Sequence, residues 1–306
     1  MESLKGRDFV RVADWSREEL LAILDLAPRL KDERKRYVDE PLLPGRSVGL
    51  VLEKPSLRTR VSFELAVEQL GAHAVHLTGP EVGLGEREST RDIAYVLSRY
   101  LDAIMIRTFS QAMVEELAEH AYIPVVNGLT DDTHPCQALA DAMTIRERLG
   151  GFEGVRVAWL GDGNNVCASL MVMCAKLGMG FVAATPAGYE PSDEAVAAAR
   201  GAGGEPVLVE DPREAAEGAD VLYTDTWTSM GQEAERDRRR SDLAGHRVDG
   251  ELLGLARPEA IVLHCLPAHV GEEITADVIY GPQSAVWDQA ENRLHTEKAL
   301  LALVVP

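Results

Sequence analysis

Short runs of Val, Ile and Leu alternate with stretches of helical period from Ser47 almost to the C-terminus, a pattern that predicts parallel sheets flanked by helices. In the first half the strand-like runs are Val48 to Leu52, Ala74 to Leu77, Ala103 to Ile106 and Pro124 to Val126. In the second half they are Val155 to Leu160, Phe181 to Ala184, Val207 to Val209, Val221 to Tyr223 and Ile261 to Leu263. Helical patterns cover Glu18 to Leu30, Val61 to Leu70, Arg91 to Leu101, Ala112 to His120, Ala138 to Leu149, Val166 to Leu177 and Asp193 to Ala199. The predicted class is α/β, with two doubly wound parallel-sheet domains. The pair Gly150-Gly151 closes a helix and places the boundary between a domain 1–150 and a domain 151–290. Glu291 to Val304 reads as an apolar helix without a following strand, so the segment 291–306 is expected to pack back on the first domain. The charge run Glu233-Ala234-Glu235-Arg236-Asp237-Arg238-Arg239-Arg240 reads as a solvated helix.

Composition narrows the function. The 306 residues suffice for about two domains, and 46% apolar content is that of a globular protein. Fifty acidic against thirty-one basic residues give a net charge of -19, which argues against nucleic acid and anionic membrane surfaces as partners. An anionic substrate then needs a local cationic pocket. The N-terminus lacks an apolar targeting segment and no later run reaches membrane-spanning length, so a cytoplasmic location is expected. Cys136, Cys167, Cys174 and Cys265 are scattered without C-x-x-C spacing, which points to reduced thiols and to no zinc site.

In open parallel sheets, ligands bind outside the carboxyl ends of strands. Those ends are polar here: Arg58 after the first run, Arg107 after Ala103 to Ile106, Asp162 and Asn165 after Val155 to Leu160, Asp225 after Val221 to Tyr223, and His264-Cys265 after Ile261 to Leu263. They are expected to face one cleft. Ser56-Leu57-Arg58-Thr59-Arg60 joins a strand to a helix, where first-turn N–H groups, two hydroxyls and two guanidinium groups suit a phosphate. A plain N-cap with solvated arginines is the alternative, and no Walker loop is present.

His134-Pro135-Cys136-Gln137 holds an imidazole and an amide near a helix start, where His134 and Arg107 are candidates to polarise a carbonyl. Gly161-Asp162-Gly163-Asn164-Asn165-Val166 follows a strand as a dinucleotide fingerprint would, but Val166 replaces the third glycine, so a nicotinamide cofactor is not expected. Asp225 can hold an ammonium, and Ser229-Met230-Gly231 forms a loop able to close over a ligand. His264-Cys265-Leu266-Pro267-Ala268-His269 resembles a metal cluster only superficially, and a Cys-His nucleophile pair is the other open reading.

Taken in order, Ser56-Leu57-Arg58-Thr59-Arg60, Arg107, His134-Pro135-Cys136-Gln137, Gly161 to Asn165, Asp225 with Ser229-Met230-Gly231, His264-Cys265-Leu266-Pro267 and Glu291-Asn292-Arg293 resemble the motifs of ornithine carbamoyltransferases nearly end to end. The resemblance implies two α/β domains joined by two crossing helices, a homotrimer or assembly of trimers, and carbamoyl transfer from carbamoyl phosphate to L-ornithine. It also implies no cofactor and no metal. Ser56, Leu57, Arg58, Thr59, Arg107, His134, Gln137 and Arg293 would hold carbamoyl phosphate. Asn165, Asp225, Ser229, Met230, Cys265 and Leu266 would hold ornithine. Arg107, His134, Cys265 and Arg293 would carry the catalytic work. Two departures stand out: Leu57 occupies a position often Thr in the family, and Gly83 one that often carries Gln or His. A carbamoyltransferase for another amine such as putrescine, and a non-catalytic phosphometabolite-binding protein, are the alternatives.

Overall fold

The computed structural model describes residues 4–83, 87–229 and 231–306. The chain divides into one unit of Met1–Ala140 with Glu291–Pro306 and a second of Asp141–Ala290. The division falls inside the helix Pro135–Leu149, ahead of the Gly150-Gly151 pair.

In the first unit, β1 (Ser47–Leu52), β2 (His73–Thr78), β3 (Ala103–Arg107) and β4 (Val125–Leu129) form a sheet in the order β2-β1-β3-β4, every pair parallel. β3 is buried along its whole length, which explains its unbroken apolar run. Val51, Ile104, Ile106, Val114, Leu117 and Val125 build the core on one face. The outer edge of β4 is covered by the N-terminal segment, where the Phe9 N–H donates to the Val125 carbonyl at 2.8 Å and the Asn127 N–H to the Phe9 carbonyl at 2.9 Å. Buried Lys298, near the C-terminus, donates to Asp39 Oδ1 and Gln69 Oε1, both at 2.9 Å, and Lys31 donates to Asn292 Oδ1 at 2.7 Å.

In the second unit, β5 (Arg156–Leu160), β6 (Gly180–Ala184), β7 (Val207–Val209), β8 (Val221–Thr224) and β9 (Ile261–His264) form a parallel sheet in the order β7-β6-β5-β8-β9. Ala158, Leu160, Val182, Leu222 and Val262 fill its core with Val278 and Val286. In both sheets the order reverses beside one strand: β1 between β2 and β3, and β5 between β6 and β8. At such a switch point successive connections leave toward opposite faces and open a crevice at the strand ends.

Several boundaries differ from the pattern. The Pro135–Leu149 helix starts at Pro135 rather than Ala138, because proline suits a first helical position. The C-terminal helix runs from Val286 to Val304, so it begins before Glu291. The helix predicted from Arg91 to Leu101 spans Thr90–Leu97, ending where Ser98 caps it and its hydroxyl donates to the Ala94 carbonyl at 2.6 Å. The strand predicted at Pro124 to Val126 extends to Leu129, since its polar Asn127 is wholly buried in the sheet. The charge run at 233–240 is a 3-10 turn followed by the helix Arg236–Leu243, and it is not solvated throughout: Arg239 is buried. No helix among the described residues is long and apolar enough to cross a membrane.

Candidate active site

Two clusters of polar side chains form, one at each sheet's switch point. In the first unit, β1 leads through Glu53-Lys54-Pro55 to Ser56, whose extended backbone (φ -159°, ψ 115°) caps the helix Leu57–Gln69. Its hydroxyl accepts the Thr59 N–H at 3.2 Å, so the N-cap reading holds for the side chain. Capping does not exclude an anion, because a first turn presents other N–H groups without intrahelical partners. Leu57 points its side chain outward, leaving only its backbone for a ligand.

Arg107 ends β3, beside Leu52 of β1 in the register. A register shift in its pairing with β4 falls between Ile106 and Arg107, a bulge of the kind that re-aims a side chain. The guanidinium is buried and its Nη1 donates to Thr59 Oγ1 at 3.2 Å, which ties the strand end to the helix start. His134 is also buried, just before the helix Pro135–Leu149. From the next turn Gln137 offers Oε1 to Arg293 Nη1 at 3.0 Å. Burial holds the His134 imidazole well below its usual 6.5, and the positive charges of Arg293, Arg107 and Arg58 press it further down. It is therefore a neutral ring among three guanidinium groups, able to donate a hydrogen bond to a carbonyl without carrying charge.

In the second unit, Asn164 caps the helix Asn165–Leu177, its Oδ1 accepting the N–H groups of Val166 at 3.0 Å and Cys167 at 3.1 Å. Its Nδ2 donates to Asp225 Oδ2 at 2.8 Å. Asp225, just beyond the end of β8, takes two more donors on Oδ1: its neighbour's Thr226 N–H at 2.7 Å and the Cys265 thiol at 2.8 Å. Asn165 is half-buried at the helix start, and Ser229 presents its N–H to Gln232 Oε1 at 3.1 Å. Met230 lies outside the described residues.

The Cys-His pair does not form. His264 Nδ1 accepts the Leu266 N–H at 2.9 Å and Nε2 faces Glu273 Oε1 at 3.1 Å, so neither ring nitrogen serves the Cys265 thiol. A thiolate at Cys265 would also stand against the Asp225 carboxylate. The same contacts hold Leu266 in the left-handed region at φ +58°, a conformation a branched residue keeps only when its surroundings impose it. Asp225, His264 and Cys265 bring one possible metal-ligand atom each within 4.8 Å, but an ion would have to displace a hydrogen bond at each of them.

The carbamoyl-P binding domain model of the aspartate/ornithine carbamoyltransferases matches residues 7–147, and their Asp/Orn binding domain model matches residues 153–304. The chain belongs to this family. Among its relatives is an ornithine carbamoyltransferase of Acidothermus cellulolyticus, 55% identical over 303 residues that cover 98% of this chain and 96% of the relative. An enzyme of Pyrococcus furiosus described as ornithine carbamoyltransferase, anabolic, is 49% identical over 307 residues, covering 99% of this chain and 98% of that one. A solved structure of the Pyrococcus furiosus ornithine carbamoyltransferase superposes with a TM-score of 0.95 at 48% identity, covering 100% of this chain and 99% of the other.

Side chains that the family motifs do not single out complete both clusters. Lys54 is buried, pairs with Asp131 and lies 4.1 Å from the centre of the Phe109 ring. Glu297 grips Arg293 from the next turn of its helix. Arg239 reaches Asp162, whose carboxyl is raised to about 6 by burial against the opposing pull of that arginine. A charge run gives no sign of which arginine turns inward, since Arg236, Arg239 and Arg240 share one helix face. At Gly83 the backbone is left-handed, φ +59°, capping the helix Gly79–Val82, and an added Cβ would meet Arg87 Cβ at 2.9 Å. Leu84 and Gly85, which follow it, lie outside the described residues.

Nitrogen NMR should find the His134 ring still neutral at a pH where a free imidazole is protonated. The unfolded chain protonates this ring near about 6.5 and the folded chain only at lower pH, so stability from this group falls as the pH drops below about 6.5. An imidazolium signal appearing near the ordinary value would contradict the buried, cation-ringed setting.

Proposed function

We propose that this chain transfers the carbamoyl group of carbamoyl phosphate to the δ-amine of L-ornithine, giving L-citrulline and phosphate. The observation that carries this reading is the full-length similarity to ornithine carbamoyltransferases at about half identity, joined to a separate polar cluster in each unit. Phosphate oxygens are assigned to Ser56, the Leu57 N–H, Arg58, Thr59 and Arg107. The carbamoyl carbonyl is assigned to Arg107, His134, Gln137 and Arg293. Positive charge without a titrating imidazole favours the oxyanion that develops when the carbonyl carbon becomes tetrahedral.

Ornithine's α-carboxylate is assigned to Asn165 and the Met230 N–H, its α-ammonium to Asp225 and Ser229, and its δ-amine to Cys265 and the Leu266 carbonyl. The neutral δ-amine forms the new C–N bond. The intermediate then expels phosphate as the C–O bond breaks, and the leaving phosphate takes the amine's proton. No covalent enzyme intermediate is required. In cellular terms we assign the chain to arginine biosynthesis in the cytoplasm, as a homotrimer or an assembly of trimers. The Pyrococcus furiosus relative described as anabolic supports the biosynthetic direction.

Arg58→Ala should lower kcat/KM about a hundred-fold, as loss of a charge-assisted contact to a transferring group does. Calorimetric titration with carbamoyl phosphate in the absence of ornithine should show binding collapse in the same variant. Wild-type affinity in Arg58→Ala would place the phosphate elsewhere.

With Cys265 steering rather than attacking, Cys265→Ser should weaken ornithine use yet keep measurable turnover, and rapid quenching should trap no carbamoyl-enzyme. A free alkyl amine titrates near about 10.4, so kcat/KM for ornithine should climb toward alkaline pH. A carbamoyl thioester on Cys265 would overturn direct attack.

A further inference from the structure

Glu297 lies one helical turn beyond Arg293 in the helix Val286–Val304, and both side chains are buried. Arg293 Nε donates to Glu297 Oε1 at 2.9 Å, its Nη2 lies 2.7 Å from the same oxygen, and its Nη1 donates to Gln137 Oε1 at 3.0 Å. A planar guanidinium held on two edges has little freedom left to turn. The other carboxyl oxygen, Oε2, is buried. Arg293 faces this carboxyl from its own helix, Cys136 from the helix Pro135–Leu149 and the Ser62 hydroxyl from the helix Leu57–Gln69. Cys136 stays a neutral thiol, because burial pushes its pKa far up and its Sγ donates to the Asn127 carbonyl at 3.3 Å. His134, which also feels the Arg293 charge, is neutral as well. The carboxyl therefore balances one permanent cation among uncharged neighbours, and burial raises it to about 7 against the opposing pull of Arg293.

We propose that Glu297 is the positioning residue of Arg293, and that it takes up a proton when an anionic substrate arrives beside Arg58, Arg107 and Arg293. This inference rests on the assignment of carbamoyl phosphate to those arginines. Before binding, the carboxylate is the anion that Arg293 serves. A phosphate arriving within range makes two anions share one cation, and repulsion between like charges raises the carboxyl's proton affinity. The proton comes from solvent and sits on Oε2. Oε1 remains an acceptor for Nε, so Arg293 stays in place while its charge is released to the substrate.

Calorimetry of carbamoyl phosphate binding to the full-length protein, near neutral pH in two buffers of different ionisation enthalpy, reads the proton count. The wild type should take up about half a proton per site more than Glu297→Gln, the size expected when a carboxyl near its midpoint shifts by about one pH unit. Glu297→Gln, nearly isosteric, keeps an acceptor for Arg293, whereas Glu297→Ala does not. The KM for carbamoyl phosphate should therefore rise several-fold in the alanine variant and be largely restored in the glutamine variant. Equal proton uptake by wild type and Glu297→Gln would overturn the coupling, and equal KM in the two variants would overturn the positioning role. Failure of the wild type to bind carbamoyl phosphate at all would instead refute the functional assignment beneath it.

Discussion

The reversal of strand order beside β1 and β5 is the constraint on which both polar clusters depend. All strands of a parallel sheet end on the same side, so side chains distant in sequence collect there without any connection between them. Arg107 from the end of β3 meets Thr59 from the helix after β1, and Asn164 after β5 meets Asp225 after β8. Helix starts add N–H groups at the same places. Among the described non-glycine residues of the two clusters, only Leu266 is left-handed, and that turn is secured by the His264 ring.

Charge is the second theme. A chain with net charge -19 repels anions at long range, so affinity for a phosphate has to be local. Burying Arg107 and Arg293 costs several kcal/mol each unless partners compensate, about what removal from water demands of any ion. Thr59, Gln137 and Glu297 supply those partners. Burial, and then the positive field that results, keep His134 neutral. In the second unit the sign is opposite: Asp225 gathers donors from Asn164, Thr226 and Cys265, a setting for a cationic group.

Much of this was legible in the residues. Apolar runs bounded by polar strand ends mark β1, β3, β5, β8 and β9 because a parallel strand is buried between two apolar faces while its exit carries the polar groups. Ser56, Arg107, His134, Asp225 and Cys265 stand at such exits, and the family motifs fall on them. What the pattern did not disclose depends on helical phase and long-range partners. Arg239 looked solvated within a charged run, yet it turns inward to Asp162 and the Trp227 carbonyl. His264 looked like a partner for Cys265, but adjacent residues on a strand face opposite ways, and its ring goes to Glu273. Glu297 carries no sign of its role in the sequence, because an acid in an apolar helix gains meaning only from the arginine one turn before it.

The claim that the two clusters read separate substrates is tested most directly by offering ornithine, putrescine and N-acetylornithine in parallel to the purified protein with carbamoyl phosphate. Buried groups built for an α-carboxylate and an α-ammonium are left unpaired by putrescine, and N-acetylornithine lacks the ammonium, so each should lose strongly in kcat/KM to ornithine. Citrulline formation from ornithine with little turnover of the other two is the expected result. Comparable efficiency with putrescine would contradict the assignment of Asp225 and its neighbours.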